Sequence, residues 1–275
     1  MLWTLFFVVK SKKGGKATDK IFKYSEHGGG IIITGLKKGV SDTSIVIPET
    51  INGMPVTAIG AKAFEFTSIT DIKIGENIRE IENAAFYKCE KLSSVTWNCK
   101  CNAIPAHCFS ECPNLTQFDF SSIKEIGRYA FWRSGLQEVC LPKNIEILEE
   151  GTFSGCSKLQ SVTWNCKCNA IPSYCFYMCP NLTNFDFAGI KKIEQDAFGK
   201  SGLISVTLNK ETAVVQSCFA YCKSLTKVEW LSDRNIEGDI FMGCKNIKEI
   251  CISDKVKNIE ASAFVSSPDA EITFI

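Results

Sequence analysis

The sequence contains only two histidines, His27 and His107, among its 275 residues. It also lacks the Gly-x-Ser-x-Gly, His-Glu-x-x-His and phosphate-binding glycine patterns of common hydrolases, metallopeptidases and nucleotide-dependent enzymes. His27 lies in a glycine-rich turn. His107 is replaced by Tyr174 in a second copy of its segment, so no motif supplies a partner for either histidine. We therefore expect no enzyme activity and no cofactor.

Long apolar runs and a strong charge of either sign are also missing. The chain has 31 basic and 30 acidic residues, for a net charge of +1, which gives no overall field to attract nucleic acid or an anionic membrane. The first nine residues are mostly apolar, but spanning a bilayer takes about 20 such residues. Lysines follow this segment, whereas a secretory signal carries its charge first. We interpret residues 1–9 as a first strand or vector-derived residues, with a clipped export signal as the alternative.

No Pro/Gly/Ser-rich linker or charge run interrupts residues 56–275, which instead repeat. The segment SVTWNCKCNAIP occurs at residues 94–105 and again at 161–172. A phenylalanine recurs every 21 to 23 residues, at Phe64, Phe86, Phe109, Phe131, Phe153, Phe176, Phe198, Phe219, Phe241 and Phe264. A fixed period in this range indicates a stacked repeat architecture, in which each unit buries its apolar face against its neighbours. We expect a single elongated domain.

Each repeat has two apolar segments. The first follows Leu-x-x-Val-x-Trp or a close variant, as in Leu92, Val95 and Trp97, and this alternation predicts a half-buried strand. The second places an aliphatic residue five positions before each phenylalanine, as Ile104 precedes Phe109. A small residue usually stands just before the phenylalanine, which lets successive coils pack closely.

Residues 136–156 show the full pattern Leu-x-x-Val-x-Leu-Pro-x-x-Ile-x-x-Ile-x-x-x-Ala-Phe-x-x-Cys with few departures, and residues 45–60 read IVIPETINGMPVTAIG. Both segments resemble the BspA-like leucine-rich repeat family, over roughly residues 20–275. The resemblance implies a curved, right-handed solenoid with a parallel concave sheet and short strands and 3₁₀ or helical turns on the convex side. It also implies binding or adhesion on the surface of host-associated bacteria or protists, and it implies neither an enzyme nor a defined ligand.

We divide the chain into an N-terminal capping segment, residues 1–55, and an array of about ten units, residues 56–275. The cap is predicted to contain a hairpin, Ile21–Tyr24 with Ile31–Thr34. The last unit stops within a strand, Ile272–Phe274, which suggests truncation of a longer protein and leaves an uncapped edge. We expect this edge to permit self-association.

The strand alternation identifies the side chains that should point outward on the concave sheet. These predicted ligand-binding positions are Lys73, Thr96, Asp119, Glu138, Cys140, Thr163, Asp186, Thr207, Glu229, Glu249 and Cys251. Hydroxyls and carboxylates predominate, which suits a protein or glycan ligand on a host surface or matrix better than a nucleic acid. The alternative is that these are only solvated sheet positions.

The fifteen cysteines mostly follow the repeat rather than a metal-site spacing. Six lie three residues after a repeat phenylalanine: Cys89, Cys112, Cys156, Cys179, Cys222 and Cys244. Cys101, Cys108, Cys168 and Cys175 also occupy core positions, where free cysteine acts as a small hydrophobe. We predict buried free thiols and no metal. Disulfides between adjacent units, such as Cys89 with Cys112, stay an alternative.

Two further features have both a structural and a functional interpretation. Trp97, Trp164 and Trp230 should face the core, although a ligand-stacking role is the alternative. Asn114 and Asn181 each begin an Asn-Leu-Thr sequon in a turn, and could carry glycans if the protein passes through a glycosylating pathway.

The sequence thus favours a non-enzymatic recognition module, displayed on the cell surface or secreted as an adhesin-type protein. The alternative is an intracellular scaffold or inhibitor that uses the same concave sheet, which many free thiols would favour.

Overall fold

The computed structural model describes residues 20–275, so the interpretation of residues 1–9 lies outside the described residues. It confirms the predicted leucine-rich repeat solenoid: the described chain is built from short strands and turns and contains no α-helix. The strands are β1 (Phe22–His27), β2 (Gly30–Leu36), β3 (Ser44–Val46), β4 (Thr50–Ile51), β5 (Met54–Ile59), β6 (Asp71–Ile74), β7 (Glu80–Ile81), β8 (Ser94–Trp97), β9 (Ala103–Ile104), β10 (Glu125–Ile126), β11 (Glu138–Leu141), β12 (Ile147–Leu148), β13 (Ser161–Trp164), β14 (Ala170–Ile171), β15 (Lys192–Ile193), β16 (Ser205–Leu208), β17 (Ala213–Val214), β18 (Lys227–Trp230), β19 (Glu249–Ile252) and β20 (Glu271–Phe274).

A typical coil passes through a four-residue strand, a two-residue strand and the turns around its phenylalanine. Four-residue strands of successive coils pair in parallel without a register shift, so that Thr207 on β16, Glu229 on β18 and Cys251 on β19 are directly aligned. The two-residue strands pair in the same way, as β9, β10 and β12 do. Equivalent positions of the repeat therefore form rows along the solenoid.

The first coils are closed by antiparallel pairing. Strands β1 and β2 form a hairpin through Gly28 and Gly29, and β2 then pairs in parallel with β5. Both turn glycines have positive φ, which glycine adopts at little steric cost. Strand β4 folds back on β5. The hairpin satisfies backbone groups that would otherwise be exposed at this end of the sheet.

A continuous ladder of ten phenylalanine rings forms the centre of the core. Nine of the rings are fully buried, and Phe264 at the last coil is half-buried. Neighbouring ring centroids are 5.2 to 5.8 Å apart, with interplanar angles of 5 to 25°. This offset-stacked geometry is favourable for aromatic pairs beyond the burial of their apolar area.

The segments around the phenylalanines are successive turns, where sequence reasoning expected short helices or 3₁₀ turns. From Phe64 to Phe219, the residues two positions before and two positions after each repeat phenylalanine have positive φ, as at Ala84 and Lys88 around Phe86. Backbone hydrogen bonds then link each turn to the next coil, for example from Phe86 N to Cys108 O at 3.0 Å. These bonds satisfy the polar groups of a segment that lies against the core.

The six cysteines that follow the phenylalanines make a second regular contact. Each thiol donates to the carbonyl oxygen of the phenylalanine one coil earlier, with sulfur-oxygen distances of 3.0 to 3.3 Å. Such a bond stabilises a weakly polar group in an apolar interior, so these residues act as more than small hydrophobes. All fifteen cysteines are unbridged in the described chain.

Strand β20 is the last strand of its sheet and pairs only with β19. Its four residues are exposed, and Ile272 and Phe274 retain 48% and 61% of their possible accessible area. In preceding coils these two positions are buried, as Ile250 and Ile252 are. The exposed apolar side chains make the predicted self-association through this edge a testable proposal.

Candidate functional site

The outward side chains of the four-residue strands form rows that are interrupted at two coils, and we call these rows together the strand face. It comprises the predicted row Lys73, Thr96, Cys140, Thr163, Thr207, Glu229 and Cys251, and the adjacent row that includes Glu138 and Glu249. Most of these side chains are exposed, whereas Thr96, Glu229 and Cys251 are half-buried. The predicted alternation therefore places these residues at the surface; whether they bind a ligand stays a prediction.

Asp119 and Asp186 do not lie on strands, contrary to our expectation. Residues 117–120 and 184–187 are irregular, and they divide the sheet between β8 and β11 and between β13 and β16. Each aspartate instead accepts a hydrogen bond from a backbone N–H two residues ahead, Ser121 or Ala188, at 2.9 Å. This side-chain bond favours a turn over a strand. Both carboxylates are nevertheless exposed beside the strand rows.

Glu229 belongs to the only ion pair formed by two side chains of the strand face within residues 20–275. Its carboxylate lies 2.9 Å from Lys227 Nζ and accepts a hydrogen bond of 2.9 Å from Thr207 Oγ1. Lys227, followed by Thr207, lowers the pKa of Glu229 below its ordinary value. The carboxylate therefore stays ionised through the physiological pH range, and part of its charge is balanced internally.

The strand face is acidic although the protein is nearly neutral. Its two rows, with the two irregular coils included, carry the carboxylates Asp71, Asp119, Glu138, Asp186, Glu229, Glu249 and Glu271 and the lysines Lys73 and Lys227. Because stacked coils bring these groups into rows, their fields add over the surface. A ligand with basic or hydrogen-bonding groups complements this charge.

Most of the cysteines lie buried at repeat positions of the core. No group of three or more His, Cys, Asp or Glu side chains within residues 20–275 is arranged to hold a metal ion. Burial raises the pKa of Cys89 to about 11 and that of Cys156 to about 12, which keeps both thiols protonated and poorly reactive.

Cys168 is an exception to the predicted burial. Cys101, Cys108 and Cys175 are buried as expected, but Cys168 and its neighbour Cys166 are half-exposed. A hydrogen bond from the Cys166 thiol lowers the pKa of Cys168 to about 7. The identical segment at Cys99 and Cys101 is buried, so the neighbouring coils, and not the repeated sequence, set this difference.

The tryptophans and sequon asparagines both make structural hydrogen bonds. Trp97 and Trp230 are buried as predicted, Trp164 is half-buried, and each indole N–H donates to a backbone carbonyl four residues ahead. Asn114 and Asn181 are exposed, but their Nδ2 atoms donate to Glu90 O and Ser157 O, at 2.8 and 2.6 Å. Because a glycosylated Nδ2 keeps one N–H, a glycan on either nitrogen is compatible with this bond between coils only where it replaces the other hydrogen.

Sequence reasoning missed the partly or fully exposed aromatic side chains that surround the phenylalanine turns. These residues include Phe66, Tyr87, Tyr129, Trp132, Tyr174, Tyr177 and Tyr221, and several pack against lysine or arginine. The sequence could have predicted these aromatic side chains, since they occupy the same few positions relative to each repeat phenylalanine. Among them is a groove of about 420 Å³ between Trp132 and Tyr177, which we call the turn-face groove.

The described residues contain no helix long and apolar enough to cross a membrane.

The family model for the BspA type leucine rich repeat region matches six copies, over residues 38–160, 102–226 and 212–275. The chain belongs to the BspA-type leucine-rich repeat family. No curated protein sequence gives a significant match. The predicted family is confirmed, and the BspA-type repeats extend over most of the described chain.

Solved structures share the BspA-type fold at low sequence identity. A leucine-rich repeat protein from Bacteroides ovatus is 19% identical, with a TM-score of 0.70 over 93% of this chain and 75% of its own. A leucine rich repeat protein from T. pallidum is 26% identical, with a TM-score of 0.59 over 66% of this chain and 86% of its own. A leucine rich cell surface protein from Faecalibacterium prausnitzii is 20% identical, with a TM-score of 0.52 over 96% and 94%.

Proposed function

We propose that this protein is a non-enzymatic recognition module at the cell surface, which binds a protein ligand through the strand face. The observation that carries the proposal is the aligned, exposed and acidic character of that face, with seven carboxylates and two lysines in its rows. Stacked repeats use extended surfaces of this kind for binding. Membership in the BspA-type family and the surface protein among the structural relatives support the same role.

Charge complementarity specifies the kind of partner. A basic patch on a protein can approach several exposed carboxylates at once, because equivalent positions on successive coils lie about 4.8 Å apart. Such contacts increase the rate of association and exclude acidic partners, while dispersed hydroxyls such as Thr163 and Thr207 supply directed hydrogen bonds. We therefore expect binding that weakens with salt.

A site-specific photo-crosslinker tests the proposal. We would place benzoylphenylalanine at Thr163, exposed on β13, or at Glu125, exposed on the two-residue strand β10, and illuminate each variant with purified extracellular-matrix proteins. Covalent adducts from position 163 but not from position 125 are expected. Two outcomes would exclude the strand face as the binding surface: adducts from position 125 only, or no adduct from either position with any of the matrix proteins.

An intracellular scaffold is the second candidate, because all fifteen cysteines are unbridged within the described chain. Free thiols of this number are typical of a reducing compartment. Antibody labelling of intact cells separates the two: labelling before permeabilisation supports surface display, and labelling only afterwards supports the scaffold.

A further inference from the structure

The turn-face groove exists because one coil presents small residues where its neighbours present large ones. Relative to the repeat phenylalanine, the positions that carry Trp132 and Arg133 in one coil carry Ser154 and Gly155 in the next. Two coils on, they carry Tyr177 and Met178. Ser154 and Gly155 therefore form the floor of the groove, between an arginine-tryptophan wall and a tyrosine-methionine wall.

The dimensions of the groove suit one flat ring. The two steps of the phenylalanine ladder beneath it, Phe131 to Phe153 and Phe153 to Phe176, are each 5.8 Å. The walls stand two coils apart, and atoms in contact require about 3.5–4 Å. This leaves room for a single ring layer over the floor. The Tyr129 ring covers Gly151 and closes one end, since a Cβ at Gly151 would lie 2.1 Å from Tyr129 Cε1.

Two cations lie beside the groove, and one of them, Lys200, also interacts electrostatically with Asp196. The Arg133 guanidinium lies 4.5 Å from the centroid of the Trp132 ring, and Lys200 Nζ lies 5.1 Å from that of Tyr177. Neither forms an ion pair within residues 20–275. Glu150, by contrast, is engaged by Arg128 and by the Tyr129 hydroxyl. The groove is thus apolar and aromatic inside, with the positive charge of Arg133 at its rim.

The backbone of these turns offers little to an extended peptide. Arg133 N donates to Ser154 O, Gly155 N to Tyr177 O, and Met178 N to Gly199 O, all within the solenoid. A peptide that binds by strand addition needs free backbone groups along an edge. A ligand of this groove must instead be recognised by ring stacking and by side-chain charge.

We propose that the turn-face groove binds a carboxylate-bearing sugar residue of a glycan. The C–H groups of the sugar ring pack on the aromatic wall at Tyr174 and Tyr177, whose faces carry the negative part of the ring quadrupole. The Arg133 guanidinium binds the sugar carboxylate, because its planar donors match a carboxylate and its stacking on Trp132 holds it in place. This site is independent of the strand face.

The test compares two sugars that differ only in the carboxylate. Saturation-transfer NMR and titration with methyl β-D-glucuronide and methyl β-D-glucoside should show ~fivefold or greater preference for the glucuronide in the unmodified protein. The Arg133→Gln variant should bind both sugars equally, at the level of the glucoside. The Tyr177→Ala variant should lose most binding of both.

Control substitutions are made at residues away from the groove. Tyr87 occupies the position of Tyr177 in another coil, so Tyr87→Ala should leave binding unchanged, as should Arg79→Gln and the strand-face variant Glu138→Lys/Glu249→Lys. Circular dichroism would verify that each variant is folded. Equal affinity for both sugars, no binding of either, an equal loss in Tyr87→Ala, or preferential binding of an acidic peptide would each overturn the proposal.

Discussion

Truncating a phenylalanine in the middle of the ladder should destabilise the fold more than truncating the last one. Phe131 has no exposed area and packs against Phe109, Phe118, Phe120 and Phe153, with centroid distances of 5.3 to 5.8 Å. A fully buried phenylalanine replaced by alanine usually costs about 3–5 kcal/mol. With four ring contacts and a neighbour on each side, Phe131→Ala should lie at the upper end of this range.

Phe264→Ala is the matched substitution at the last coil. Phe264 is half-buried and has one ring partner, Phe241, at 5.3 Å. Because less apolar area and one stacking contact are lost, we expect a cost of roughly 1.5–2.5 kcal/mol. Phe64→Ala should be intermediate, since Phe64 is fully buried but stacks only on Phe86 among the ladder rings.

Urea unfolding followed by circular dichroism measures these free energies. Hydrogen exchange would locate the effect, because each repeat contacts mainly its neighbours and an array can unfold in parts. Faster exchange in the coils that adjoin Phe131 is expected in Phe131→Ala. Equal losses in Phe131→Ala and Phe264→Ala would refute the reasoning that coil position and ring contacts set the cost.

Three further outcomes follow from the turns, the thiols and the last strand. Ala84 has a φ of 59°, which glycine adopts more easily than alanine, so Ala84→Gly should stabilise the protein by no more than about 1 kcal/mol. Ala85 is fully buried, so Ala85→Gly should destabilise the protein by about 1 kcal/mol or more. Equal losses of stability in the two variants would contradict this. Exposed Cys140 should react with a thiol reagent in the folded protein and buried Cys108 only on unfolding, and equal rates would be inconsistent with their burial. Phe274→Lys should reduce concentration-dependent association in sedimentation experiments, and an unchanged oligomer distribution would remove the β20 edge as the contact.

Repetition made the core predictable. The spacing of the phenylalanines identified the ladder, and the alternation on either side of Val95 or Val139 assigned the outward rows. Such assignments succeed because a strand has a side-chain period of two and each coil repeats its neighbour. The surface positions of Glu138 and Thr163 follow directly from that pattern.

Departures from the repeat average were harder to predict. Asp119 fits the strand pattern, but its hydrogen bond to Ser121 N competes with strand pairing. Tyr129 has positive φ although its side chain gives no such signal, because the contacts between coils determine the turn. Cys101 and Cys168 share a sequence and differ in exposure for the same reason. The groove could have been predicted by aligning the repeats, because Ser154 and Gly155 are small where the neighbouring repeats have large side chains.

The most direct test of the strand face is the association rate of charge-reversed protein with the matrix protein that crosslinks to position 163. Glu138→Lys/Glu249→Lys changes two exposed carboxylates on strands β11 and β19, and Lys124→Glu/Lys191→Glu changes two exposed lysines away from the four-residue strands. At an ionic strength where the Debye length is about 8 Å, the Glu138→Lys/Glu249→Lys variant should associate severalfold more slowly than the unmodified protein. The Lys124→Glu/Lys191→Glu variant should associate at nearly the unmodified rate. An unchanged rate in the first variant together with a loss in the second would contradict the account and place the binding surface elsewhere.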